Sequence, residues 1–125
     1  MTKRVRAIAP ATVANIGPGF DVLGLALEGP CDLVEAEATQ DGVVTLVDIT
    51  GDEGALPRQA NQNCVGAVAQ DVLRRFGAPG TGVRLWLHKG LPLGSGLGSS
   101  AASSVAAALA TAAVVCPEVD RIALL

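Results

Sequence analysis

Residues 90–103 read Gly90-Leu-Pro-Leu-Gly-Ser-Gly-Leu-Gly-Ser-Ser-Ala-Ala-Ser103, and the rest of the chain is organised around this stretch. A strand-like run, Val83-Arg-Leu-Trp-Leu-His88, leads into it. Its alternation puts Val83, Leu85 and Leu87 on one face and Arg84, Trp86 and His88 on the other. An alanine-rich run leads out, predicted helical from Ser99 or Ser100 to about Val115, before Pro117. Its small side chains leave room for close packing on a sheet. Gly94, Gly96 and Gly98, at alternate positions, remove side chains from the loop, so backbone N–H groups can approach a ligand closely. The helix that follows offers unsatisfied N–H donors and the positive end of its dipole. Ser95, Ser99 and Ser100 add hydroxyls suited to phosphate oxygens. The chemistry implied is anion binding, with a polyphosphate the leading ligand.

Two common phosphate motifs are distinguishable from it. Walker A needs G-x-x-x-x-G-K-[ST], and no Gly-Lys-Ser/Thr occurs in the chain. The dinucleotide pattern G-x-G-x-x-G/A matches formally from Gly96 to Ala101. However, Leu91, Pro92, Leu93 and Gly94 separate those glycines from the strand, whereas a dinucleotide loop follows its strand tightly.

Outward from the loop, the periods alternate. Arg4 to Ile8 is a short extended run, expected to end at Pro10, and Leu33 to Ala38 is a second. In a third, Val43, Thr45, Val47 and Ile49 alternate with Leu46 and Asp48, and the preceding Asp41-Gly42 is a hairpin turn signal. From Asn63, apolar residues recur at Val65, Val68, Ala69, Val72 and Phe76, the stripe of an amphipathic helix. Arg74 and Arg75 complement its C-terminal dipole, and Gly77 marks its stop. Residues 50–62, with Gly51, Gly54 and Pro57, form a loop. The order β, β, β, α, β, α predicts an α+β fold, a mixed sheet with packed helices, rather than a regular doubly wound sheet.

Composition narrows the classes of function. Of 125 residues half are hydrophobic, so a single core can be buried and disorder is excluded. The net charge is −3 with 17% charged residues, which argues against a nucleic-acid partner. Only Phe20, Phe76 and Trp86 are aromatic, so stacking platforms are missing. Cys31, Cys64 and Cys116 form no C-x-x-C pair and read as buried reduced thiols. No apolar signal segment follows the basic N-terminus. The run Ala101–Cys116 is too short to span a bilayer, so a cytoplasmic protein without a membrane partner is expected.

A second constellation follows the first strand: Asn15-Ile-Gly-Pro-Gly-Phe-Asp21-Val-Leu-Gly24. Asn15 and Asp21 could serve turns through side-chain-to-backbone bonds. Alternatively, Asp21 pairs with a substrate cation while Asn15 bonds a hydroxyl or carboxylate.

Taken together, these segments resemble homoserine kinases, members of the superfamily that holds galactokinase, mevalonate kinase and phosphomevalonate kinase. Pro92-Leu-Gly-Ser-Gly-Leu-Gly-Ser-Ser-Ala-Ala102 resembles that superfamily's phosphate loop, P-x-x-x-G-L-G-S-S-A. Asn15 to Gly24 is similar to the N-x-G-x-G-F-D-x-L-G of homoserine kinases. The resemblance implies the superfamily's N-terminal domain, of the ribosomal protein S5 domain 2-like fold, over residues 1–125. A C-terminal domain is expected beyond, since the family's members are more than twice as long. It further implies ATP-dependent phosphorylation of L-homoserine to O-phospho-L-homoserine in threonine biosynthesis, with Mg²⁺. Asn15 and Asp21 would hold homoserine, Asp21 facing its ammonium. Pro92, Leu93, Gly94, Ser95, Gly96, Leu97, Gly98, Ser99, Ser100, Ala101 and Ala102 would wrap the ATP phosphates, with Ser100 near Mg²⁺. Asn63 matches the family's E-N-x-V segment beside the nucleotide, with Gln62 here in place of the Glu. Lys89 matches a family lysine near the adenine, or else is an exposed charge at a strand end. His88 reads as a surface strand residue. The family's Mg²⁺-binding Glu and carboxylate-gripping arginines would lie beyond residue 125, so these residues alone are expected to be inactive. A homodimer is one assembly left open, and the alternative functions are a non-catalytic nucleotide- or anion-binding module and a kinase of the same superfamily with another small-molecule acceptor. Residues Val119 to Leu125 read as the start of another helix.

Overall fold

The computed structural model describes residues 3–14, 24–92 and 98–124. Four strands, β1 (Arg4–Ala14), β2 (Gly24–Thr39), β3 (Val44–Thr50) and β4 (Gly82–His88), form one sheet in the order β1-β2-β4-β3. β1 and β2 are antiparallel, as are β2 and β4, while β3 runs parallel to β4. Two helices, α1 (Cys64–Phe76) and α2 (Ser99–Val115), cover one face. The fold is α+β with a mixed sheet, as the order of periods predicts.

The hairpin expected at Asp41-Gly42 does not form, because β4 lies between β2 and β3. A parallel pair needs a crossover, and α1 supplies it between β3 and β4. Asp41 instead closes a local turn, its Oδ1 accepting from Thr39 Oγ1 at 2.6 Å and from the Val43 N–H at 3.0 Å. The face expected of the third strand also changes. A register shift between Leu46 and Asp48 makes Val47 an extra residue in the strand. Val44 and Ile49 therefore both reach the core, with Leu46 packed against it, whereas Val43 and Val47 are 54% and 47% exposed. β1 passes through Pro10 rather than ending there. It is an edge strand, where a missing donor is tolerated, and its register shifts between Pro10 and Thr12.

The core is assembled from Val34 and Ala36 of β2, Val83, Leu85 and Leu87 of β4, Val65 and Ala69 of α1, and the alanines of α2. Ala102, Ala106 and Ala110 recur at helical spacing and let α2 lie close over β1 and β2. On the opposite sheet face, Glu35 accepts from Arg6 Nε at 2.9 Å and Arg4 Nη1 at 3.3 Å. The Arg4 guanidinium sits 3.8 Å above the Trp86 ring. His88 belongs to this polar face, as its strand position predicts, with Nδ1 2.9 Å from Thr50 Oγ1. The three cysteines are free and half-buried rather than fully buried. After α2, a 3₁₀ turn spans Arg121–Leu124 in place of the expected helix start. No described helix is long and apolar enough to cross a membrane.

Candidate functional site

Helices α1 and α2 both begin at one edge of a cavity of about 420 Å³, whose wall also includes Ala55, Leu56, Pro57 and Leu87. Asn63, Lys89, Ser99 and Ser100, four residues singled out by sequence, line it together with Gln62, Cys64 and Ser103. Its size lies within the range of small-ligand sites. The two helix starts touch: Cys64 Sγ lies 3.9 Å from the Ser100 carbonyl oxygen.

The two helices begin differently. Asn63 caps α1, its Oδ1 accepting from the Val65 N–H at 3.0 Å while its Nδ2 donates to the Pro57 carbonyl at 2.9 Å. The amide is 4% exposed, and both its ends serve the fold. α2 has no side-chain cap. Its N-cap is Gly98, at φ 71° and ψ 32°, left-handed backbone that glycine adopts without strain. A Cβ there would also overlap Thr12 Oγ1 of β1. Among the described residues, the first N–H groups of α2, beside the cavity, thus receive no side-chain cap from Gly98.

The cavity wall at Leu56 is braced by Asp52, whose carboxylate accepts from the N–H groups of Gly54 at 3.1 Å and Leu56 at 3.0 Å. Arg58 Nη1 reaches it at 2.8 Å. The Arg58 hydrogen bond, aided by the Leu56 amide, holds the Asp52 carboxyl well below the usual carboxylate range.

Lys89 is not an exposed strand-end charge. Its side chain is 2% exposed and pairs with Asp32, itself 0% exposed, at Nζ to Oδ2 2.5 Å. Nζ also lies within hydrogen-bond distance of Ser99 Oγ at 2.5 Å, the Ser99 carbonyl at 3.1 Å and Ser103 Oγ at 2.9 Å, so its three protons are shared among four acceptors. Ser103 Oγ in turn donates to Asp32 Oδ2 at 2.7 Å. The other carboxylate oxygen, Oδ1, accepts the N–H groups of Gly90 at 2.9 Å and Leu91 at 3.1 Å. Gly90 must be glycine for this approach, since a Cβ would overlap the Cys31 carbonyl oxygen.

Sequence reasoning missed Asp32, and parity could have found it. Asp32 shares its strand face with Val34 and Ala36, and Lys89 continues the face of Val83, Leu85 and Leu87. Two opposite charges on inward parities are a signature of a buried pair. Of the remaining residues singled out, Pro92 and Ala101 are exposed, Gly98 is half-buried and Ala102 faces the core. Asn15, Asp21, Leu93, Gly94, Ser95, Gly96 and Leu97 lie outside the described residues.

Residues 63–125 match the family described as GHMP kinases N terminal domain. The chain is 49% identical over 95 residues to a homoserine kinase of Arabidopsis thaliana, covering 74% of this chain and 26% of that protein. It superposes on the crystal structure of homoserine kinase from Cytophaga hutchinsonii with a TM-score of 0.92 and 41% identity, over 100% of this chain and 39% of that one. The Methanococcus jannaschii mevalonate kinase structure matches at a TM-score of 0.71 and 17% identity, over 98% of this chain and 44% of that one, a likeness of fold alone. The chain spans about a quarter to a third of the length of the curated relatives it matches.

Proposed function

The chain belongs to the GHMP kinase family, and from that premise we propose that the protein transfers the γ-phosphoryl group of ATP to the side-chain hydroxyl of L-homoserine. The product would be O-phospho-L-homoserine, a step of threonine biosynthesis. The observation that carries the nucleotide part is the cavity where Asn63, Lys89, Ser99 and Ser100 meet beside the start of α2, whose N-cap is Gly98. The similarity to homoserine kinases over the whole chain favours homoserine as the acceptor.

In this reading the homoserine oxygen bonds to the γ-phosphorus as the bridging oxygen of ADP leaves, and the hydroxyl proton passes to solvent or phosphate. The N–H groups at the start of α2 and the hydroxyls of Ser99 and Ser100 donate to phosphate oxygens. Lys89 lines the same wall with its ammonium paired to Asp32. Asp21 and Asn15 hold the acceptor. No acid or histidine lines the cavity among the described residues, and His88 belongs to the opposite sheet face. In this reading catalysis rests on positioning and charge neutralisation, the terms that dominate phosphoryl transfer.

The described residues do not make a resident metal site. They gather no group of three His, Cys, Asp or Glu side chains, and Asp32 is bound to Lys89. Mg²⁺ bound with ATP would neutralise phosphate charge, and Ser100 would offer it a hydroxyl. The test is to assay the full-length gene product with MgATP and a panel of homoserine, mevalonate and galactose. Turnover of homoserine is expected; turnover of mevalonate but not homoserine overturns the assignment.

A further inference from the structure

Resting on the nucleotide reading above, we propose that Asp32 and Lys89 are positioning residues, a buried clamp that aims the Ser99 hydroxyl into the cavity and ties the first turn of α2 to residues 90 and 91.

The pair joins parts distant in sequence. Asp32 lies in β2, and Lys89 follows β4. One carboxylate oxygen takes the Gly90 and Leu91 N–H groups, at the start of the glycine-rich stretch. The other takes Lys89 and Ser103, and Lys89 takes Ser99, at the start of the helix that follows. A single ion pair thus sets the relation between the two ends of that stretch.

Proton directions are fixed as well. An ammonium only donates, so Ser99 Oγ, 2.5 Å from Nζ, is an acceptor toward Lys89. Its own proton must then point elsewhere, and Ser99 lines the cavity. Ser103 is different: it accepts from Lys89 and donates its one proton to Asp32. Lys89 therefore leaves Ser99, and not Ser103, as a hydroxyl donor for an anion. Stability alone does not account for such a pair, because desolvating two charges offsets most of their attraction, and apolar replacements of similar volume are often neutral.

The experiment uses the full-length gene product in four forms: wild type, Lys89→Met, the double variant Asp32→Asn/Lys89→Met, and Ser99→Ala. MgATP affinity is measured by calorimetry, stability by urea unfolding, and amide exchange at Gly90, Leu91 and residues 99–102 without nucleotide. Lys89→Met strands a buried carboxylate and should be the least stable form. The double variant removes both charges and should regain most of that stability, yet still bind MgATP about ten- to hundredfold more weakly than wild type. Ser99→Ala should lose affinity with little loss of stability. A double variant that binds like wild type overturns the proposal, since a purely structural pair would be replaceable. If the wild type itself binds no MgATP, the nucleotide reading falls, and exchange then judges the clamp separately. Faster exchange at those amides in the double variant supports the clamp, and unchanged exchange overturns it.

Discussion

Replacing Gly98 with alanine tests the geometry that opens α2. Two costs are readable from its surroundings. The left-handed backbone at φ 71° costs an ordinary L-residue about 1–2 kcal/mol. The added Cβ would also overlap Thr12 Oγ1, while sitting 3.4 Å from Thr12 Cβ. Threonine is stiff at χ1, and forcing a packed side chain aside costs about 1–3 kcal/mol. The expected loss for Gly98→Ala is therefore about 2–5 kcal/mol. Urea unfolding can be followed through Trp86, the one tryptophan, whose ring lies under Arg4. Thr12→Ala separates the two costs, because it removes the overlapping oxygen and leaves the backbone strain. Combined with Gly98→Ala, it should recover about 1–3 kcal/mol relative to the sum of the single changes. MgATP affinity should stay weakened even then, because the backbone that presents the first N–H groups of α2 remains strained. A Gly98→Ala protein within about 0.5 kcal/mol of wild type, or strict additivity with Thr12→Ala, would refute this account.

Three further changes probe the cavity wall and the core. Asn63→Ala should cost about 0.5–2 kcal/mol for the lost cap alone, more with the Pro57 tether, and Asn63→Asp should destabilise as well, since it keeps the cap acceptor but sets a buried carboxylate oxygen against the Pro57 carbonyl; urea unfolding checks both. Thr111 Oγ1 is the buried side-chain atom without a hydrogen-bond partner among the described residues. Thr111→Val should therefore raise stability, by about 1 kcal/mol, and a lowered melting temperature contradicts this. Asp52 has a folded-state pKa depressed below its ordinary value of 3.8. The stabilisation it contributes is then complete above that value and is lost as pH falls further, toward the folded-state pKa. The Gly54 and Leu56 amide resonances should hold still from pH 7 to pH about 4 and move only in stronger acid. Titration of both with a midpoint near the ordinary carboxylate value contradicts the arrangement.

Local features were legible where the physics is local. The stripe Val65, Val68, Ala69 and Val72 after Asn63 sets α1, because side-chain spacing, a capping amide and Gly77 all act within a few residues. The same holds for β4, whose alternation needs no partner to be read, and for the alanine run of α2. The glycine and serine pattern before α2 pointed to an anion for a reason written in the chain, bare backbone followed by a helix start.

What the sequence alone determined, then, is the kinds of element, their order and the chemistry of the glycine-rich stretch. Tertiary structure decided the neighbours. Whether β4 lies beside β3 or between β2 and β3 depends on which strand best buries Leu85 and Leu87, a competition among distant segments. The extra residue at Val47 follows from that pairing, since it brings Ile49 inward opposite Leu87. Asp32, in a run with Glu35 and Glu37, reads as one acid among several. Only folding carries it to Lys89, 57 residues away, where burial makes each charge dependent on the other. That dependence has no local trace beyond parity, because an ion pair in a core is a property of two surfaces meeting.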